Sequence, residues 1–93
     1  MSTYVVKNPA TGESGTPYAA TTDAQIEAAM EAAHTTWKTW TSSTTVAHRA
    51  TMIEKVAQLH RDRREKLAEI IVREMGKPLA QALGEVDFTA DIY

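Results

Sequence analysis

Cysteine is missing from all 93 residues, and glycine, proline and phenylalanine are scarce, at 4, 3 and 1. Without cysteine there is no disulfide framework, no thiolate nucleophile and no thiolate metal site. The few glycines form neither G-x-G-x-x-G nor G-x-x-x-x-G-K-[ST], so no phosphate cradle is encoded. Neither sign of charge dominates: 10 Lys and Arg face 12 Asp and Glu, for a net charge of −2. That balance gives no electrostatic reason to expect nucleic acid or an anionic membrane as a partner. No apolar run approaches the ~20 residues of a membrane span. The start, Met1 to Val6, lacks the charged and apolar regions of a signal peptide and the arginines of a transit peptide. The expected location is therefore cytoplasmic. Hydrophobic content of 43% and charged content of 24% are ordinary for a soluble globular chain, here at most one small domain.

Punctuation and periodicity divide what is present. Tyr4 to Lys7 reads as a short strand, Asn8-Pro9-Ala10-Thr11-Gly12 as a turn, and Thr16 to Ala19 as a second, weak strand. Proline presets the first central dihedral of such a turn and glycine accepts the positive φ that closes it. A lone hairpin is marginal in water and needs a surface to lie against. Thr22-x-x-Gln25 matches a capping box and predicts a helix over about 22–40, with Ile26, Met30, Ala33, Trp37 and Trp40 on one face. The Ser/Thr-rich stretch Thr39 to Thr45 reads as a loop. A second helix is expected over about 46–75, with Ala50, Ile53, Val56, Ala57, Leu67, Ile70 and Ile71 as its apolar stripe. Asp62 with Lys66 and Glu69 with Arg73 stand at i,i+4 spacing on its opposite face. Gly76 then suits the left-handed residue that closes a helix, and Pro78 suits the first turn of a third helix over about 78–93. The fold class expected is mostly α, with a short N-terminal β-hairpin and three helices.

Two features suggest an incomplete unit. A ~30-residue helix is ~45 Å long, whereas a compact chain of this length has a diameter of roughly 32 Å. The last helix also carries Asp87 and Asp91 in its final turns and no C-cap residue, which opposes its dipole. Both features fit a chain cut from a larger protein, and the overhang alone also fits a self-pairing helical hairpin.

Reactive side chains do not converge. His34, His48 and His60 are too far apart for the usual zinc ligand pair about two to five residues apart, so helix-face histidines are favoured over a metal site. Glu27/Glu31 and Glu65/Glu69 are paired carboxylates that would do acid–base work only if buried near a substrate; a solvated helix face is favoured. In Arg61-Asp62-Arg63-Arg64-Glu65-Lys66 the interleaved acids cancel most of the field, and no aromatic residues offer a stacking platform. Trp37 and Trp40 read first as a pair packed on a neighbouring helix and second as anchors of a partner interface.

The order of motifs carries more than any one of them. Asn8-Pro9-Ala10-Thr11-Gly12-Glu13, then Arg49-Ala50, Leu67-Ala68, Glu74-Met75-Gly76-Lys77-Pro78-Leu79 and Gly84-Glu85-Val86 resemble the N-terminal region of the aldehyde dehydrogenase superfamily over nearly the whole chain. With Ala80-Gln81-Ala82 added, the pattern looks most like succinate-semialdehyde dehydrogenases. The resemblance implies a parent enzyme of α/β architecture with a Rossmann-like cofactor domain, of which residues 1–93 are an N-terminal segment, incomplete as a domain. Such enzymes oxidise aldehydes to acids with NAD or NADP through a cysteine thiohemiacetal and a thioester, which a glutamate-activated water hydrolyses. None of those catalytic or cofactor-binding groups falls on a residue of this sequence. Phe88 and Ile92 are the two positions that the resemblance places along a substrate channel.

The sequence thus leads to these expectations: a chain that is catalytically silent and binds no cofactor or metal alone, completed by the remainder of an aldehyde dehydrogenase that forms a homo-oligomer. The competing expectation is a free-standing helical interaction module that self-associates or docks on a full-length relative.

Overall fold

The computed structural model describes residues 3–93. In chain order they form strands β1 (Thr3–Tyr4) and β2 (Tyr18–Ala19) and helices α1 (Asp23–Ser43), α2 (Val46–Asp62), α3 (Arg64–Met75) and α4 (Leu79–Ile92). The mostly helical chain with an N-terminal hairpin is as the sequence predicts. Its elements differ in three places, each with a local cause.

The strands are shorter than the pattern suggests. β1 and β2 pair antiparallel with Thr3 opposite Ala19 and Tyr4 opposite Tyr18, and a single bridge joins Lys7 to Ser14. The turn between them is built on Asn8. Its side-chain Oδ1 accepts from the Ala10 N–H at 2.9 Å, its carbonyl accepts from Gly12 at 2.8 Å, and Gly12 stands at φ +76°.

α1 runs on to Ser43, through residues read as loop. The capping box forms as expected, with Gln25 N–H donating to Thr22 Oγ1 and Thr22 N–H to Gln25 Oε1. At the other end the hydroxyls of Ser42, Ser43 and Thr44 turn back onto the carbonyls of Lys38, Thr39 and Trp40, which ties these side chains to the helix backbone. Only Thr44 and Thr45 then separate α1 from α2, and Thr45 caps α2 by accepting from His48 N–H at 3.1 Å. Arg49 braces this corner: its guanidinium donates to the Thr44 carbonyl and hydroxyl and lies 5.6 Å from the Trp40 ring centroid.

The expected second helix is broken at Arg63, which stands at φ −107°, ψ 17°. No glycine or proline causes the break, and hydrogen bonds continue across it, from Arg63 N–H to Leu59 and from Leu67 N–H to Arg63. It falls between Arg61 and Arg64, the two arginines that reach across to α4. Arg64 grips Asp87 bidentately, at 2.6 and 2.8 Å, and Arg61 meets Asp91 at 3.3 Å. Lys77, just ahead of the same helix, pairs with Glu85 near its middle. Asp87 and Asp91, which read as unfavourable for the dipole of the last helix, are therefore held by charge across the helix contact. The i,i+4 pairs expected on the outer face are replaced: Asp62 accepts from Gln58, and Arg73 sits 3.7 Å from Glu74.

The bidentate bond from Arg64 lowers the Asp87 pKa and raises that of Arg64. Because the folded carboxyl titrates below its unfolded value of ~3.9, its contribution is complete above that pH and is lost as acid protonates the folded form. Thermal unfolding followed from pH 7 into the acid range should show the wild type losing more Tm than Asp87→Asn below pH ~4. Equal losses would mean that the pair adds nothing.

The core is small and rests on alanine. Ala68 and Ala82 are fully enclosed, Ala57, Val86 and Ala90 nearly so, and Leu67, Ile71, Val72 and Leu83 pack around them. Small side chains let α4 approach α2 and α3 closely. Of the predicted stripe, Ala57 is buried, while Ala50 and Ile53 face outward; Ala68, not part of that stripe, lies at the centre. α3 ends as expected on Gly76, at φ +71°, with its N–H donating to Val72, and Pro78 caps α4 through its carbonyl. The whole is a slab of 49 × 37 × 14 Å with a radius of gyration of 17.8 Å, against ~12 Å for a compact chain of this size. It is one layer of helices, whereas stable domains stack at least two.

Candidate functional site

Phe88 and Ile92 lie one turn apart on α4, 66% and 69% exposed, and share a groove of about 420 Å³ with Leu67, Ile70, Ile71 and Val86. The α3–α4 contact makes the floor of this groove, and the ion pairs at Asp87, Asp91 and Glu85 fix how α4 lies along it. The lining is apolar apart from His60, Glu85 and Thr89. His60 Nδ1 lies 2.9 Å from the Val56 carbonyl. Since a carbonyl only accepts, Nδ1 carries a proton, and Nε2 is the ring nitrogen free for another partner. The His60 ring also lies 5.0 Å from the ring of Tyr93 at 48°. A surface of this kind can hold a hydrocarbon skeleton, with an imidazole, a hydroxyl and a carboxylate at its margins. It holds no thiol.

The other residues weighed from sequence do not gather there. His34 stacks on Trp37 within α1, at 5.6 Å and 24°, and His48 sits in the first turn of α2. Among the described residues, no three His, Asp or Glu side chains come together as a metal site. Glu27, Glu31, Glu65 and Glu69 are all exposed. A second recess, of about 370 Å³, lies where the hairpin meets the end of α3, between Asn8, Glu13, Tyr18, Arg73 and Glu74. Sequence reasoning missed the clasp at Asp87 and Asp91, because partners 23 and 30 residues apart leave no local signal. No helix of the described residues is long and apolar enough to cross a membrane.

Comparison with known proteins decides what this scaffold is. The model of the aldehyde dehydrogenase family matches residues 1–93. The chain belongs to the aldehyde dehydrogenase family.

Three relatives of this aldehyde dehydrogenase chain illustrate the range. A malonate-semialdehyde dehydrogenase of Bacillus pumilus (strain SAFR-032) is 39% identical over 84 residues, 90% of this chain and 17% of its own length. The succinate semialdehyde dehydrogenase [NAD(P)+] Sad of Escherichia coli (strain K12) is 39% identical over 87 residues, 91% of this chain and 18% of its own. A 3-sulfolactaldehyde dehydrogenase of Pseudomonas putida is 37% identical over 84 residues, 90% of this chain and 17% of its own. Among solved structures, one described as giving insights into cofactor and substrate selection by Gox0499 superposes with a TM-score of 0.92. It is 36% identical and covers 99% of this chain and 20% of its own. The chain thus spans about a fifth of the length of the relatives it matches.

Proposed function

We propose that these residues are the N-terminal segment of an NAD- or NADP-dependent aldehyde dehydrogenase that oxidises an aldehyde bearing an acid group, such as succinic semialdehyde, to the carboxylic acid. The segment is incomplete as a domain and catalytically silent alone. The observation that carries this reading is the family match over the whole chain, joined to the absence of cysteine from it. A thiol nucleophile, which the family's chemistry requires, then has to come from the rest of a parent enzyme. The relatives support the substrate class, since malonate semialdehyde, succinate semialdehyde and 3-sulfolactaldehyde all pair an aldehyde with an anionic group.

Residues of this chain do not fit a dinucleotide. Among those described, the positive-φ glycines are Gly12 and Gly76, one in a hairpin turn and one at a helix end, and no glycine-rich strand-to-helix turn accompanies them. The cofactor is held elsewhere in the parent, whose architecture is α/β and which assembles as a homo-oligomer in the cytoplasm. The role left to this segment is to build one wall of the substrate channel. Phe88 and Ile92 would exclude water and guide the carbon chain of the aldehyde.

Two experiments test the reading. Purified chain mixed with succinic semialdehyde and NAD or NADP should give no rise in absorbance of the reduced cofactor; a steady rise overturns its silence. The coding region read past the Tyr93 codon should continue into parallel βα units and then a cysteine and a glutamate, and a native stop codon there overturns the parent. In such a parent, Phe88→Ala should raise KM for the aldehyde roughly three- to tenfold with little change in kcat, as loss of uniform binding does.

A further inference from the structure

Two kinds of contact hold α4 against α2 and α3. Its buried face is Ala82, Val86 and Ala90, and the first two cluster with Ala68 of α3. Methyl groups make shallow ridges, so they allow close approach but resist little when a helix turns about its own axis. The ion pairs supply that resistance. At about 100° per residue, Glu85 and Asp87 stand to either side of Val86, at the middle of the buried face. Lys77 holds Glu85 on one flank, while Arg64 of α3 and Arg61 of α2 hold Asp87 and Asp91 on the other. A turn in either direction therefore stretches a pair.

Arg64 grips most firmly of the two arginines, because its fork takes both carboxylate oxygens, at 2.6 and 2.8 Å. The side chains of both arginine pairs are 41% to 74% exposed, so the pairs add little to stability. Orientation is what they supply. Phe88 follows Val86 by two residues and so stands about 160° around the helix from it. It is 66% exposed, and the core packing does not fix where its ring lies. Side chains reach ~5–6 Å from a helix axis, so a ~20° turn of α4 carries that ring about 2 Å. A shift of ~1 Å in a positioning group is already enough to be read in kinetics.

We propose that Arg64, seconded by Arg61, is a positioning residue for the channel wall. Its grip on Asp87 sets the rotation of α4, and thereby the direction in which Phe88 and Ile92 face the aldehyde. Neither arginine lines the groove, so both act through α4 alone. The assignment rests on the reading of Phe88 and Ile92 as channel residues.

In the parent enzyme, Arg64→Ala should raise KM for the aldehyde at least about threefold, with kcat nearly unchanged. Arg64→Lys should restore part of the loss, since a point charge replaces the fork. Arg64→Asp combined with Asp87→Arg should bring KM closer to wild type than Arg64→Asp alone. Gly12→Ala controls for stability: it strains the hairpin turn without touching α4, and should leave KM where it was.

The same rotation is readable in the 93-residue chain, with no aldehyde present. The His60 ring lies 5.0 Å from that of Tyr93, the residue that ends α4. Arg64→Ala should move the His60 ring-proton NMR signals while helical circular dichroism stays as in wild type, and Gly12→Ala should move neither. Phe88→Ala without effect on KM removes the channel reading and leaves the His60 signals to decide the clasp. If Phe88→Ala raises KM and Arg64→Ala does not, the positioning role is overturned. Unmoved His60 signals in Arg64→Ala overturn it as well.

Discussion

Ala82→Glu should unfold the α2–α4 layer. Ala82 is fully enclosed where α4 meets α3, with Ala68 also at zero exposure and Val86 at 4%. A glutamate there needs several more heavy atoms' worth of space between two helices that touch through methyl groups. Overpacking alone costs roughly 1–3 kcal/mol, and burial of an unpaired carboxylate adds more or forces its protonation. Single domains have only about 5–15 kcal/mol in hand, and a one-layer fold with an alanine core belongs near the bottom of that range. The expected result is loss of most helical circular dichroism from α2, α3 and α4 at room temperature. Ala80→Glu is the control, since Ala80 is exposed in the first turn of the same helix, where an acid favours the dipole. A variant of Ala82 that melts like wild type would mean that α3 and α4 do not approach as described.

Gly76→Ala should cost more than Gly12→Ala, although both glycines have nearly the same backbone. Their φ values are +71° and +76°, a region that costs an L-residue about 1–2 kcal/mol. A Cβ at Gly12 would meet nothing within 4 Å, so the dihedral term stands alone there. A Cβ at Gly76 would lie 3.2 Å from both Cβ and Cγ of Pro9, tighter than ordinary contact. The hairpin turn must then shift away from the elbow between α3 and α4, which also disturbs the recess at Asn8 and Arg73. Urea denaturation should place the loss at about 1 kcal/mol for Gly12→Ala and about 2–3 kcal/mol for Gly76→Ala. Pro9→Gly in the Gly76→Ala background should recover part of the difference, read as a coupling energy in a double-mutant cycle. Equal costs at the two glycines would show that the hairpin is not docked on the elbow.

Much of this chain is legible residue by residue because its signals are local. The capping box at Thr22 and Gln25, the Asn8 turn, and the Gly76–Pro78 stop and restart each depend on residues within four positions of one another. The family resemblance singles out Phe88 and Ile92; helical spacing accounts only for their sharing one face of α4. The same locality explains the misses. Ser42, Ser43 and Thr44 read as loop because their hydroxyls have two uses, and the backbone conformation decides between them. The break at Arg63 has no local marker.

The amino-acid sequence by itself determined the helical class, the starts of α1, α2 and α4, the stop at Gly76 and, through the order of its motifs, the aldehyde dehydrogenase resemblance. It also determined that no thiol chemistry can arise within these residues. Only the tertiary structure decided which side chains carry the fold. Alanine gives little periodic hydrophobic signal, yet Ala68 and Ala82 form the centre, because their value lies in the close approach they allow to another helix. Asp87 and Asp91 are unfavourable within their own helix and become favourable only when Arg64 and Arg61 are brought to them. The exposed face of α1 is likewise a property of the assembled slab: its periodicity promised a buried stripe, and no second layer among the described residues is there to bury it.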